Sequence, residues 1–152
     1  IINKAGCNLS FAGLKTAVLR EAKNINGNKK LKYNLAASFQ QTVNKVLEKK
    51  TKEAMKQFKT RTSLEKKIPF IVAGGVAANL SIRENLNKVC EDMNFIPIFP
   101  NLKFCGDNAA MIAWVGIKRY KKKLVNNLDF VAKSRWPLDP LARYLKGPGL
   151  KL

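Results

Sequence analysis

Apolar positions recur along this chain in two rhythms, and each change of rhythm marks an element. After an extended stretch over residues 8–13, Leu14, Ala17 and Val18 return at helical spacing, which predicts a helix over residues 14–22. Residues 23–32 are polar, basic and glycine-containing, and read as a solvated loop. From Asn34 onward Leu35, Phe39, Val43, Val46, Leu47, Ala54 and Phe58 recur at threes and fours, so a long helix is expected. Its other face carries Lys45, Lys49, Lys50, Lys52 and Lys56 and should lie in solvent. A second basic loop over residues 59–67 leads to Phe70-Ile71-Val72-Ala73, four apolar residues bounded by Pro69 and Gly74. Such a run suits a strand covered on both faces. Ser81-Ile82-Arg83-Glu84 then has the form of a capping box, opening a helix to about Met93 with Ile82, Leu86, Val89, Cys90 and Met93 on one face. Residues 95–99 read as a second strand, which Pro97 makes an edge strand or one with a break. The helix after Asp107 is apolar nearly all round and rich in small residues, so it is expected to be enclosed. Its basic end over residues 119–123 suits the negative pole of the helix dipole. Prolines and glycines punctuate the tail, which reads as extended, with Trp136 docked on the body of the protein.

This order of elements is α/β, with too few strands for a complete doubly wound domain. At 152 residues, with no repeat and no strong internal linker, the chain reads as one domain or, better, one lobe of a larger protein. The opening Ile1-Ile2-Asn3, without an initiator methionine, hints at a piece of a longer product, although processing gives the same start. No apolar run approaches the roughly 20 residues of a membrane span, so no membrane partner is expected.

Charge changes the picture in one respect. The formal net charge is +19, from 29 Lys and Arg against 10 Asp and Glu, which favours polyanionic partners such as tRNA. Lys far outnumbers Arg and Asn is abundant, the mix an AT-rich genome imposes whatever the function, so nucleic-acid binding is permitted by the charge rather than shown by it. Cys7, Cys90 and Cys105 are odd in number, far apart and free of any C-x-x-C spacing, which fits a reducing cytoplasm and buried thiols. The chain contains no histidine, so this segment supplies neither His acid–base catalysis nor a His metal ligand.

Two stretches carry candidate chemistry. Gly74-Gly75 ends the first strand, where open α/β sheets bind ligands, and the lack of side chains there lets a ligand approach backbone N–H groups. Read alone, the dipeptide favours a plainer role, letting strand and helix pack tightly. Asn79 adds an amide that both donates and accepts, suited to a ribose or a base edge. Asp107 opens toward a loop at a helix start; alone it favours the role of an N-cap, and its functional alternative is a hard oxygen ligand for a metal. One carboxylate does not hold a metal, so further ligands would come from outside this chain.

Three motifs in order resemble one family. Ser10-Phe11-Ala12-Gly13-Leu14-Lys15-Thr16-Ala17, then Ala73-Gly74-Gly75-Val76-Ala77-Ala78-Asn79 followed by Arg83 and Leu86, then Cys105-Gly106-Asp107-Asn108-Ala109-Ala110-Met111-Ile112-Ala113 are similar to the carboxyl-terminal half of the tRNA adenosine threonylcarbamoyltransferases, formerly labelled O-sialoglycoprotein endopeptidases. The tail Ser134-Arg135-Trp136-Pro137-Leu138-Asp139-Pro140 resembles bacterial members. The resemblance implies one lobe of an actin-like, ribonuclease-H-like fold and a cytoplasmic enzyme moving threonylcarbamoyl from threonylcarbamoyl-AMP to the adenosine beside the anticodon. It implies that Asn79 contacts the nucleotide-linked substrate, that Gly74 and Gly75 line the same pocket, and that Asp107 is a ligand of one divalent metal, iron or zinc. No catalytic acid or base is assignable here. The family's H-x-x-x-H metal motif and main glycine-rich loops belong to its amino-terminal half and are absent from this chain, which is therefore expected to be inactive alone. A catalytically silent paralogue and a small P-loop ATPase are the implied bacterial partners. The competing readings are a non-catalytic actin-like pseudo-subunit or RNA-binding scaffold, and a fragment of a sugar-kinase or Hsp70-like ATPase.

Overall fold

Within the sheet, exposure alternates along each strand, with every second side chain turned toward the core. β1 (Ile68–Ile71) and β2 (Phe95–Ile98) pair in parallel, with Ile68 opposite Phe95 and Ile71 opposite Ile98. Ile68 and Phe70 turn toward the core, whereas Ile71 is 68% exposed and Ile96 and Ile98 are also open. The expectation of a strand covered on both faces is thus corrected: among the described residues, helices cover one face only. Val72 N–H donates to the Ile98 carbonyl at 3.0 Å, which by strand alternation turns Pro69 and Pro97 away from the shared ladder. Neither proline removes a ladder bond there, in keeping with the edge position that Pro97 predicts.

The computed structural model describes residues 2–3, 5–62 and 66–132. The chain divides into two units, Ile1–Asn108 and Ala109–Leu152. In the first, α1 (Ala12–Lys23) packs on α2 (Lys29–Arg61), α2 packs on α3 (Leu80–Asp92), and α3 crosses back over β2. Parallel strands need such a crossover, so β1, α3 and β2 form a βαβ unit. The core is small and well defined: Met55 of α2, Val89 and Cys90 of α3 and Phe95 of β2, with Ile68, Phe70 and Met93 against them. Asn94, at φ 56°, adopts the left-handed conformation common just past a helix end and turns the chain from α3 into β2.

Helix α2 begins at Lys29, inside the stretch expected to be loop, because Asn28 caps it by accepting from Leu31 N–H at 3.1 Å. The turn before it uses Asn26 and Gly27, both at positive φ. Helix α2 is covered on two sides. Met55 faces the core, while Val46 and Lys50 are buried on the opposite side, where Lys50 Nζ donates to the Gly6 carbonyl at 2.7 Å. Lys50 therefore leaves the exposed lysine face to which its spacing assigned it; the chain before α1 covers it.

The second unit contains α4 (Ala109–Lys121), which has no buried residue: Ile112 is 66% exposed and Trp114 is 60% exposed. The enclosure expected from its composition is not supplied by the described residues. The tail motif at residues 134–140, with Trp136, lies outside the described residues.

Candidate functional site

β1 runs out into a turn built from glycine backbone. Gly74 has φ 89° and ψ 175°, a conformation essentially restricted to glycine, and Gly75–Ala78 follow as one short 3-10 turn closed by Ala77 N–H to the Gly74 carbonyl at 3.0 Å. A Cβ added at either Gly74 or Gly75 would meet nothing within 4 Å. Tight strand–helix packing therefore does not explain the pair. Gly74 is required by its backbone angle, and Gly75 leaves an open approach to the turn.

Asn79 caps α3. Its side-chain oxygen accepts from Ile82 N–H at 3.1 Å, so the cap lies two residues before Ser81, the residue the capping-box pattern selects. Ser81 instead stands inside the first turn and accepts from Asn44 Nδ2 at 2.9 Å. Asn79 Nδ2 donates to Gln40 Oε1 at 2.8 Å, and Gln40 Nε2 donates in turn to Asn44 Oδ1 at 3.0 Å. A chain of amides thus fixes Asn79 against α2. One N–H and one acceptor site of the Asn79 amide remain beyond these two bonds. Gln40 is a supporting residue that sequence periodicity does not single out, since it lies beside the apolar stripe of α2 rather than on it.

A cleft of 440 Å³ opens beside this turn, lined by the apolar side chains of Phe11, Phe39, Val43, Val76 and Ile82 together with Gln40, Gly75 and Asn79. Phe11 belongs to the first motif and Gly75 and Asn79 to the second, so two sequence motifs distant along the chain share one cavity. Apolar walls with a few convergent amides are the usual make-up of a small-molecule site.

Arg83 joins the turn to the loop that carries Asp107. From the first turns of α3 its Nε donates to the Ala77 carbonyl, and its Nη2 donates to the Pro100 carbonyl at 2.8 Å and lies 3.1 Å from Cys105 Sγ. The guanidinium also lies over the Phe99 ring, with Cζ 5.0 Å from the ring centroid. Cys105 is 3% exposed. Asp107, two residues on, is exposed, and no hydrogen bond or ion pair engages its carboxylate among the described residues. Asn108, not Asp107, occupies the position directly before α4, so the N-cap role expected from the residue alone does not fall to Asp107.

An exposed, unengaged carboxylate fits one place in a metal's coordination shell. It fits only one: the described residues contain no group of three or more His, Cys, Asp or Glu able to hold an ion, and the chain has no histidine. The remaining ligands of any such ion would come from outside the described residues.

A parallel βαβ unit with a glycine turn beyond the strand's carboxyl end and a carboxylate loop tied to it makes this an α/β protein, and that end of the strands is where open α/β sheets bind ligands. The chain belongs to the tRNA N6-adenosine threonylcarbamoyltransferase family, whose model matches residues 1–114. It is similar to the tRNA N6-adenosine threonylcarbamoyltransferase of Pelagibacter ubique, with 53% identity over 152 residues, covering 100% of this chain and 42% of that protein. The Rickettsia massiliae protein of the same name is 39% identical over 143 residues, covering 93% of this chain and 42% of the relative. For Rhodospirillum rubrum the identity is 40% over 152 residues, with 98% and 41% covered. The chain thus spans about two fifths of the length of the curated relatives it matches.

Proposed function

We propose that this chain is the carboxyl-terminal lobe of an actin-like transferase that moves threonylcarbamoyl from threonylcarbamoyl-AMP to the exocyclic amine of the adenosine beside a tRNA anticodon. The family match over residues 1–114 carries this reading. In it the Gly74-Gly75 backbone admits the adenylate closely, and the free N–H of Asn79 hydrogen-bonds it. Asp107 supplies one oxygen to a divalent ion, iron or zinc, whose other ligands lie outside this chain. When bound, such an ion supplies Lewis-acid polarisation of phosphate and carbonyl oxygens. Among the described residues none stands ready as a general base, so the contribution of this chain in this reading is binding and orientation. The partners in this reading are tRNA, a catalytically silent paralogue and a small P-loop ATPase, in the cytoplasm.

The experiment is made on the intact gene product. Asp107→Ala is expected to abolish stoichiometric metal by elemental analysis with the fold retained, and retained metal would remove Asp107 from the site. Expressed by themselves, residues 1–152 are expected to show no transfer to tRNA.

A further inference from the structure

We propose that Arg83 is a positioning residue that locks the Gly74-to-Asn79 turn and the Asp107 loop into one fixed relation. This deepens the reading above, in which the two segments meet substrate and metal. Ala77 and Cys105, the groups Arg83 holds, lie two residues before Asn79 and two before Asp107 respectively. Its other acceptor, Pro100, starts the segment that leads into the Asp107 loop.

The chemistry of the side chain suits this task. Guanidinium presents five N–H donors in a rigid plane, so fixing it on one acceptor fixes the direction of the others. Arg83 projects from α3, the same helix that Asn79 caps, and is therefore carried by the element that sets the turn. Ala77 is 0% exposed, so water is poorly placed to replace the donor its carbonyl would lose. The Phe99 ring lies against the guanidinium, whose Cζ is 5.0 Å from the ring centroid, and helps to hold it in place. No carboxylate forms a salt bridge with Arg83 among the described residues; its bonds go to two backbone carbonyls and a thiol. Lysine at this position would keep the charge and lose the fork, which separates geometry from electrostatics.

The test uses the intact, metal-loaded gene product with Arg83→Ala and Arg83→Lys. Amide hydrogen exchange is read at residues 74–79 and 101–107, metal retention against a chelator, and affinity for a threonylcarbamoyl-adenylate analogue by calorimetry. Arg83→Ala is expected to speed exchange at both segments and to weaken both metal and analogue by about tenfold, the order of one lost charge-assisted hydrogen bond. Exchange in α2 should stay unchanged. Millimolar methylguanidinium should restore part of both affinities in Arg83→Ala, whereas Arg83→Lys should remain defective. Loosening of one segment only, of neither, or of the whole domain together, or wild-type behaviour of Arg83→Lys, overturns the proposal. Should Arg83→Ala not fold, Arg83→Lys carries the exchange measurement. If Arg83→Ala behaves as wild type while Asp107→Ala loses metal and Asn79→Ala loses the analogue, the positioning role alone fails. If Asp107→Ala and Asn79→Ala keep their ligands, the site reading fails, and the exchange data still decide whether Arg83 couples the two segments.

Discussion

Asn79 has two duties that substitutions can separate. As the cap of α3 it satisfies a free N–H, and Asn79→Ala should cost about 0.5–2 kcal/mol in denaturant unfolding. Asn79→Asp should keep the cap, since aspartate caps as well as asparagine, while losing the bond donated to Gln40 and the free donor; calorimetry with the adenylate analogue should therefore show weakened binding at near-normal stability. Gly75 offers a cleaner probe of ligand approach. Because a Cβ there meets nothing in the protein, Gly75→Ala should leave the unfolding midpoint nearly unchanged, so any loss of analogue affinity reports contact with the ligand itself. Gly74→Ala should instead destabilise by about 1–3 kcal/mol, through its backbone angle alone. Cys90 makes a pH prediction. Burial, and secondarily the charge of Glu91, raise its thiol above the ordinary range. A raised pKa in the folded state means stability that is whole below the unfolded thiol's value of about 8.5 and is lost as pH climbs through the folded value. Native protein should accordingly show slow alkylation of Cys90 at pH 8, and Cys90→Ala should remove part of the alkaline destabilisation in thermal melts.

At the scale of elements, α3 matters most, since it carries the core and the site together. Ile82, Leu86, Val89 and Cys90 are buried on one face, as their spacing predicts, and Leu86→Ala should cost about 2–5 kcal/mol in unfolding experiments. The helical period of α2 was readable for the same reason, but its buried face was not: Met55, outside the expected stripe, faces the core, while Phe39 and Phe58 of the stripe are exposed. Other features were not readable from local pattern. Ser81 and Asn79 both satisfy a cap rule, and the choice went to Asn79 because the preceding 3-10 turn delivers it in an extended conformation with its oxygen over Ile82 N–H. Lys50 belongs to the basic face by spacing, yet it is buried because the segment around Gly6 crosses that face, a contact between residues 44 apart in sequence. The apolar run over residues 70–73 located the first strand only in part, since β1 spans Ile68–Ile71 with Pro69 inside it; nor did the run give its cover, since periodicity records what a strand can bury and says nothing of what arrives to bury it.

On the scale of the whole molecule, the described residues leave apolar surface in places where a finished protein seldom does. Ile71, Ile96 and Ile98 line an open sheet face, and Ile112, Trp114 and Val115 are exposed on α4. Residues 1–152 prepared by themselves should therefore bind a hydrophobic dye and self-associate in sedimentation at moderate salt, where the net charge of +19 is screened. Coexpression with the portion of the relatives that this chain does not match should suppress both effects, and a monodisperse monomer that binds no dye would count against the two-lobe reading.

The sequence by itself determined the α/β order of elements, the helical periods, the buried stripe of α3, the glycine turn, the motifs that place the chain in its family, and the lack of any histidine ligand. These are properties of local composition and spacing, and they hold whatever the chain packs against. Only the tertiary structure decided that Asn79 both caps α3 and lines a cleft, that Phe11 joins it there, that Lys50 is buried, and that Arg83 ties the turn to the Asp107 loop. Each of those depends on segments far apart in sequence arriving at one place, and no local pattern encodes the distance between them.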